Sequence, residues 1–378
     1  MIYLDNAATT YPKPKSVYDV MDRVNREAAF NAGRGAYKAA REASRMIDDV
    51  KKKLHNVISD RTESQIVLSS SITISLNQVL KGISWKKGDV VYVTPYEHNA
   101  VARTLHNIMI KHMIEVKEMP LTDKLEIDLE KLEYLFSKDK PRCVCCNHLS
   151  NVTGYILPVK DVFAIAKRND AITILDTAQS LGLVQIDADE LNADIIAFAG
   201  HKSLYGPFGI GGYINYGKIK LDVVLTGGTG SDSLSMEMPN EGDLRYEPSS
   251  PNIVSVAGLS AALDNLMPEH IFKHEKQLTE YIVGELKKIE GVIVYEPPTD
   301  KHIGVVSFNI EGYKAEDVGM ILDEDYDIAV RTGFHCAPYI HKYLKDEPYL
   351  GTVRVGIGQF TSGEDADKLI EAIKELVS

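Results

Sequence analysis

Between residues 64 and 215, short β-branched apolar runs alternate with stretches whose apolar positions recur every three or four residues. The first kind predicts strands at Gln65–Leu68, Asp89–Val93, Arg142–Asn147, Ala171–Leu175, Ile195–Phe198 and Gly211–Ile214. The second predicts helices at Ala100–Met113, Asp128–Ser137 and Val159–Arg168, with two more upstream at Lys15–Ala29 and Tyr37–Ile58. Such alternation predicts a mainly parallel sheet with crossover helices, an α/β fold.

The pattern changes after residue 250. A long helix over His270–Ile289 leads into strands Val292–Glu296 and Gly304–Ile310 and a helix at Ala315–Asp323. Strands near Asp327–Arg331 and Thr352–Gly356 and a last helix, Gly363–Val377, complete a smaller α+β unit. We expect a large domain over 15–255 and a small one made of 1–14 and 256–378. The Gly-, Ser- and Pro-rich stretch Thr226–Asn252 has little periodicity and is expected to be a linker or a functional loop.

Composition narrows the function. Of the 378 residues, 44% are hydrophobic and 25% charged, the profile of a soluble globular chain. The net charge of −12 argues against nucleic acid or an anionic membrane as a partner, while leaving room for a local basic pocket. No apolar run is long enough for a bilayer, and Met1-Ile2-Tyr3-Leu4-Asp5 does not begin a secretory signal. Cys143, Cys145 and Cys146 lie on a predicted strand at a spacing that suits neither a disulfide framework nor zinc, so they are expected in the core, with no metal. A reducing cytoplasm is the expected location.

The chemistry starts at Ile174-Leu175-Asp176-Thr177-Ala178-Gln179, where an apolar strand ends in a carboxylate. Ligands of parallel sheets bind at that end of the strands. Further on comes Phe198-Ala199-Gly200-His201-Lys202, then the glycine-punctuated Gly206-Pro207-Phe208-Gly209-Ile210-Gly211-Gly212. Pyridoxal phosphate needs a lysine amine for its Schiff base and an acid to keep its pyridine nitrogen protonated. Lys202 and Asp176 supply these two groups. Singly, a strand-end Asp is more often a helix cap and a turn Lys a solvated one; their pairing is what carries weight.

With Leu4-Asp5-Asn6-Ala7-Ala8-Thr9, Glu97-His98-Asn99-Ala100, His148-Leu149-Ser150-Asn151-Val152-Thr153-Gly154 and Arg331-Thr332-Gly333-Phe334-His335-Cys336, the chain resembles, nearly end to end, the class V aminotransferase-fold enzymes. Among these it resembles the cysteine desulfurases. The resemblance implies fold type I of the pyridoxal-phosphate-dependent transferases, a large mainly parallel-sheet domain and a smaller α+β domain carrying the cysteine loop. It also implies roles: Asp176 at the pyridine nitrogen, Gln179 at the ring hydroxyl, His98 stacked on the ring and Asn151 near the hydroxyl and the substrate carboxylate. Thr73 and His201 would reach the phosphate. Ser250 would reach the phosphate of a partner subunit, which implies a homodimer. Ala199 and Ile72 stand where the family often has hydroxyl residues, and so remove donors from the phosphate cup.

Cys336 selects among activities, because transamination needs no cysteine and desulfuration does. A thiolate on a short mobile loop with basic neighbours suits attack on a substrate sulfur, and Cys336 follows Arg331 and His335. Alone it would be read as a buried free cysteine; the Arg-Thr-Gly-x-His-Cys context reverses that. Arg354 matches the family arginine that clamps the substrate carboxylate, as a guanidinium does with two parallel hydrogen bonds. Arg331 and Arg34 would add positive potential. The cysteine segment resembles the group that includes selenocysteine lyase-like members, although Phe334 stands where a His is frequent. The expected reaction converts L-cysteine to L-alanine, with Lys202 as base, His98 as a candidate proton shuttle and a persulfide on Cys336. The sulfur then passes to an acceptor, as in iron–sulfur cluster assembly. The alternatives are selenocysteine lyase, another class V lyase or aminotransferase, and a non-catalytic sulfur-transfer scaffold.

Overall fold

The computed structural model describes residues 1–33, 35, 37–59, 64–230 and 233–378, with Thr299 described by its backbone alone. A seven-stranded sheet runs in the order Gln65–Ser69, Gly211–Asn215, Ile195–Ala199, Ile172–Asp176, Pro141–Asn147, Val90–Val93 and Glu115–Glu118. Gly211–Asn215 alone runs against the rest, so the sheet is mixed and mostly parallel.

Both faces are covered, and for that reason the central strands read as unbroken apolar runs. On Pro141–Asn147, Cys143 and Cys145 enter one buried cluster, Val144 and Cys146 the other. The three cysteines are buried free thiols, as expected of core residues. The edge strand Glu115–Glu118 escapes sequence reading because Glu-Val-Lys-Glu is polar, which also protects an exposed edge. The helix Ile253–Asp264 escapes for the opposite reason: it is buried almost all round and has no polar face to give it a period.

A second, antiparallel sheet of four strands has the order Arg331–Gly333, Thr352–Gly356, Val305–Ile310, Val292–Tyr295. Helices Pro268–Leu286, Ala315–Tyr326 and Gly363–Val377 bury apolar stripes in a separate core with Val306, Phe308, Val353 and Val355. The single strand expected near Asp327–Arg331 is two. Ile328–Ala329 pairs with Ile2–Tyr3, while Arg331–Gly333 turns into the four-stranded sheet. Among its described residues, the segment 226–252 holds only a short 3₁₀ turn, Asp243–Arg245, and leaves Leu234 and Met236 almost fully exposed, at 96% and 99%. Among the described residues no helix is long and apolar enough to cross a membrane.

The loop 148–156 joins the two sheets. Ile303 N–H donates to Gly154 O at 3.0 Å and Ile156 N–H to Lys301 O at 2.8 Å. Gly154 has φ +68°, and a Cβ there would lie 2.5 Å from Val305 O and 2.7 Å from Ile303 O. Gly154→Ala is therefore expected to destabilise the protein by about 2–4 kcal/mol, through a left-handed backbone and a clash with carbonyls that cannot retreat. A urea midpoint equal to wild type would contradict this.

Candidate active site

Asp176 ends strand Ile172–Asp176 and is buried. Ala178 N–H donates to its Oδ1 at 2.8 Å. Burial raises its pKa, opposed by that N–H and by the positive charge of Lys202. Lys202 lies in the turn after strand Ile195–Ala199, and desolvation draws its amine down to about 8. The Asp176 and Cys336 charges act on it in the opposite direction, while Arg354 and Arg331 reinforce the drop. Sequence reasoning paired Asp176 with Lys202; the fold brings them together.

The N-terminal segment fastens the lysine turn. Thr10 Oγ1 donates to Lys202 O at 3.0 Å, Thr9 Oγ1 to His201 O at 2.9 Å and Lys13 Nζ to His201 O at 2.7 Å. Lys13 is buried, with its pKa lowered by that burial to about 7. Its part was not foreseen; the only trace in the sequence is a cation one residue after Pro12.

His98 accepts from Ala100 N–H through Nδ1 at 3.0 Å and caps helix Asn99–His112. Burial, with the nearby Lys202, Arg331 and Arg354 charges, lowers its pKa to about 4, so the ring is neutral with its proton on Nε2. Beside it Glu97 is buried, accepts from Thr94 Oγ1 and Asn147 N–H at 2.7 Å each, and is pushed up to about 8 by desolvation. His201 stacks on Phe208 and is likewise driven to about 4 by burial. Gln179 Nε2 donates to Ala7 O at 2.8 Å. Thr73 is exposed in the first turn of helix Ile72–Gly82, whose N-cap is Ser71. Ser250 is exposed, and Arg34 lies outside the described residues.

The cysteine loop is short, but it is anchored rather than free. His335 and Cys336 both have positive φ, 45° and 56°. Such backbone is costly for side chains larger than glycine and persists only where its surroundings impose it. Here three successive carbonyls are held from three directions. His341 Nε2 donates to Phe334 O at 2.9 Å, Asn151 Nδ2 to His335 O at 2.7 Å and Asn99 N–H to Cys336 O at 2.7 Å. His335 is not the basic neighbour that the sequence suggested: its Nε2 bonds to Thr352 at 2.8 Å, and desolvation drives its pKa well below the usual value, leaving it neutral. The charge beside the sulfur is Arg331, whose Nη2 is 3.7 Å from Cys336 Sγ.

Arg331 and Arg354 are directly opposite in adjacent strands. Arg354 is 2% exposed. Its Nη2 pairs with Asp5 at 2.6 Å and its Nη1 donates to Asn151 O at 3.0 Å. Asp5 as its counter-ion was not foreseen, although it lies in the quoted Leu4–Thr9 motif. Nor was His341, whose Nδ1 meets buried Asp346 at 2.5 Å; no motif marks that pair.

Several polar atoms at this centre are buried without a partner among the described residues: Asn151 Oδ1, His201 Nδ1 and Arg354 Nε. With the Lys202 amine and the Asp176 carboxylate, they suit a ligand bearing a pyridine nitrogen, a ring hydroxyl, a phosphate and an amino-acid carboxylate. Pyridoxal phosphate with an amino acid has these groups.

Such a centre, at the carboxyl ends of a mostly parallel sheet, defines a pyridoxal-phosphate enzyme of fold type I. The chain belongs to the aminotransferase class-V family, whose model matches residues 2–369. It is 33% identical to a probable cysteine desulfurase of Halalkalibacterium halodurans, over 99% of this chain and 93% of the relative. A probable cysteine desulfurase of Pyrococcus abyssi is also 33% identical, over 100% and 94%. The solved apo cysteine desulfurase of Thermococcus onnurineus superposes with a TM-score of 0.92 at 31% identity, covering 100% of this chain and 94% of that one.

Removing one partner of the buried His341–Asp346 pair leaves the other uncompensated. His341→Phe is expected to cost about 3–5 kcal/mol, most of it recovered in the double variant His341→Phe/Asp346→Leu. Additive losses in urea unfolding would show that the pair is not coupled.

Proposed function

We propose that the protein is a pyridoxal-phosphate-dependent cysteine desulfurase that converts L-cysteine to L-alanine and takes the sulfur onto Cys336. The observation that carries this reading is the meeting of a thiol with the lysine centre. Cys336 has Arg331 at 3.7 Å and enters the electrostatics of both Lys202 and Arg354.

When bound, pyridoxal phosphate supplies a carbonyl that captures amines and a ring that withdraws electrons from the substrate Cα. In our reading Lys202 is its attachment point, Asp176 faces its ring nitrogen, His98 stacks on the ring, and Asn151 and Gln179 serve the hydroxyl side. Thr73 and His201 take the phosphate, joined by Ser250 of a second copy in a homodimer. The large unit, 15–255, provides these groups; the unit of 1–14 and 256–378 brings Cys336 and Arg354.

The substrate carboxylate goes to Arg354, whose Nε is buried without a partner among the described residues while Nη1 and Nη2 meet Asn151 O and Asp5. Arg331 adds positive potential. Lys202, with its amine brought down to about 8, takes the Cα proton and returns it. His98 is neutral down to about pH 4, which suits a stacking ring better than an acid, so proton transfer falls chiefly to Lys202. The Cys336 thiolate attacks the substrate sulfur, the Cβ–S bond breaks and the new S–S bond forms the persulfide. The carbon skeleton gains a proton at Cβ and leaves as alanine. We place this work in the cytoplasm, with the persulfide sulfur passed to an acceptor of a pathway such as iron–sulfur cluster assembly.

Cysteine-dependent alanine formation is expected for wild type, and a loss of at least about 100-fold in Cys336→Ser with the bound-cofactor absorbance intact. Lys202→Ala should lose that absorbance. A keto acid as the main product, with alanine formation untouched in Cys336→Ser, would overturn the reading.

The Lys202 amine also sets a pH dependence. Its folded pKa lies below the ordinary lysine value, so the nucleophilic free base accumulates as pH rises through about 8. Attachment of added pyridoxal phosphate to the apoprotein should therefore accelerate with a midpoint near that pH. A midpoint at the ordinary lysine value, about 10.4, would contradict it.

A further inference from the structure

A cavity of about 670 Å³ opens onto Cys336, lined by Asn99, Arg103 and His106 of helix Asn99–His112 and by Arg331 and Phe334 of the cysteine segment. Lys202, Asp176 and Arg354 are not among its lining residues. Cys336 thus lines this cavity and also enters the charge environment of Lys202 and Arg354. The volume is that of a small-molecule site.

Positive charge gathers around the cavity. The protein has a net charge of −12, and many of its exposed cations are paired with carboxylates, as Lys15 is with Asp19 and Arg168 with Glu133. Among the described residues Arg103 and Arg331 have no carboxylate partner, although they stand with His106 around one opening. Two guanidiniums without a carboxylate partner among the described residues suit an anion, and they grip a carboxylate better than any other side chain does.

We propose that this cavity is a subsite for a small acceptor thiol that carries a carboxylate, held by Arg103 and Arg331 with its sulfur against Cys336. This rests on the reading that Cys336 becomes a persulfide. The acceptor thiolate attacks the outer sulfur of the persulfide, a new S–S bond forms on the acceptor and the bond to Cys336 Sγ breaks. The acceptor leaves as its persulfide and Cys336 returns as a thiolate beside Arg331 Nη2. The sulfane sulfur and its proton move together, so no oxidant or reductant is consumed.

Three probe thiols of similar size test the subsite on the holoenzyme supplied with L-cysteine: 3-mercaptopropionate, 2-mercaptoethanol and cysteamine, which are anionic, neutral and cationic. Second-order constants for discharge are measured as alanine turnover and acceptor persulfide, each divided by the thiolate fraction at the assay pH. The expected order is 3-mercaptopropionate first, at least about 10-fold over cysteamine, with the gap narrowing as salt is raised. Arg103→Met should close most of that gap by lowering the 3-mercaptopropionate constant alone. Equal constants for the three thiols in wild type would overturn the proposal. So would an Arg103→Met enzyme that keeps the preference, or one that changes only the KM for L-cysteine, which would assign the cavity to substrate entry. Absence of a Cys336 persulfide and of alanine with every thiol would instead overturn the desulfurase reading, and the acceptor subsite with it.

Discussion

The arrangement depends on one buried guanidinium. Arg354 is out of water, and an unpaired buried charge of this kind costs several kcal/mol. It is tolerable because Asp5 and the Asn151 carbonyl meet it, and those partners come from the N-terminal segment and from the loop after strand Pro141–Asn147. The need to satisfy one side chain on the small sheet therefore pulls together three pieces of chain far apart in sequence. The same junction holds the Cys336 loop, since Asn151 uses its amide on His335 O and its carbonyl on Arg354.

Electrostatics across the centre follow from that packing. Burial removes charge from His98, His201 and His335 and brings Lys202 within reach of neutrality, whereas a guanidinium is not deprotonated in proteins. The fixed positive charge near the thiol is thus arginine, and the imidazoles act as shape, stacking surface and hydrogen-bond anchors.

Much of this was legible in the chain. Asp176 and Lys202 could be paired because strand ends and turns in an α/β chain announce where they lie, and buried parallel strands such as Ile172–Asp176 have an unmistakable apolar run. Legibility failed where local pattern and environment part company. Glu115–Glu118 is a strand made of charges, and Ile253–Asp264 a helix without a polar face. At the site, His335 looked basic beside Cys336, yet its environment is desolvated and its ring is tied to Thr352. Asp5, Lys13 and the His341–Asp346 pair were hidden because their importance comes only from long-range contact or burial, which no spacing encodes. The cysteine loop looked mobile for want of any sign that three carbonyl anchors would come from residues 99, 151 and 341.

The first thirteen residues tie the small sheet's core to the turn that carries Lys202. Ile2–Tyr3 pairs with Ile328–Ala329 and Leu4 is buried with the small sheet, while Thr9, Thr10 and Lys13 bond to the turn that carries Lys202. A segment shared in this way couples the opening of one unit to the other. Displacing residues 2–4 from the small unit pulls on the strap over Lys202, so the two regions are mechanically linked through this segment. The position of the lysine turn thus depends in part on a segment anchored in a core to which the turn does not belong.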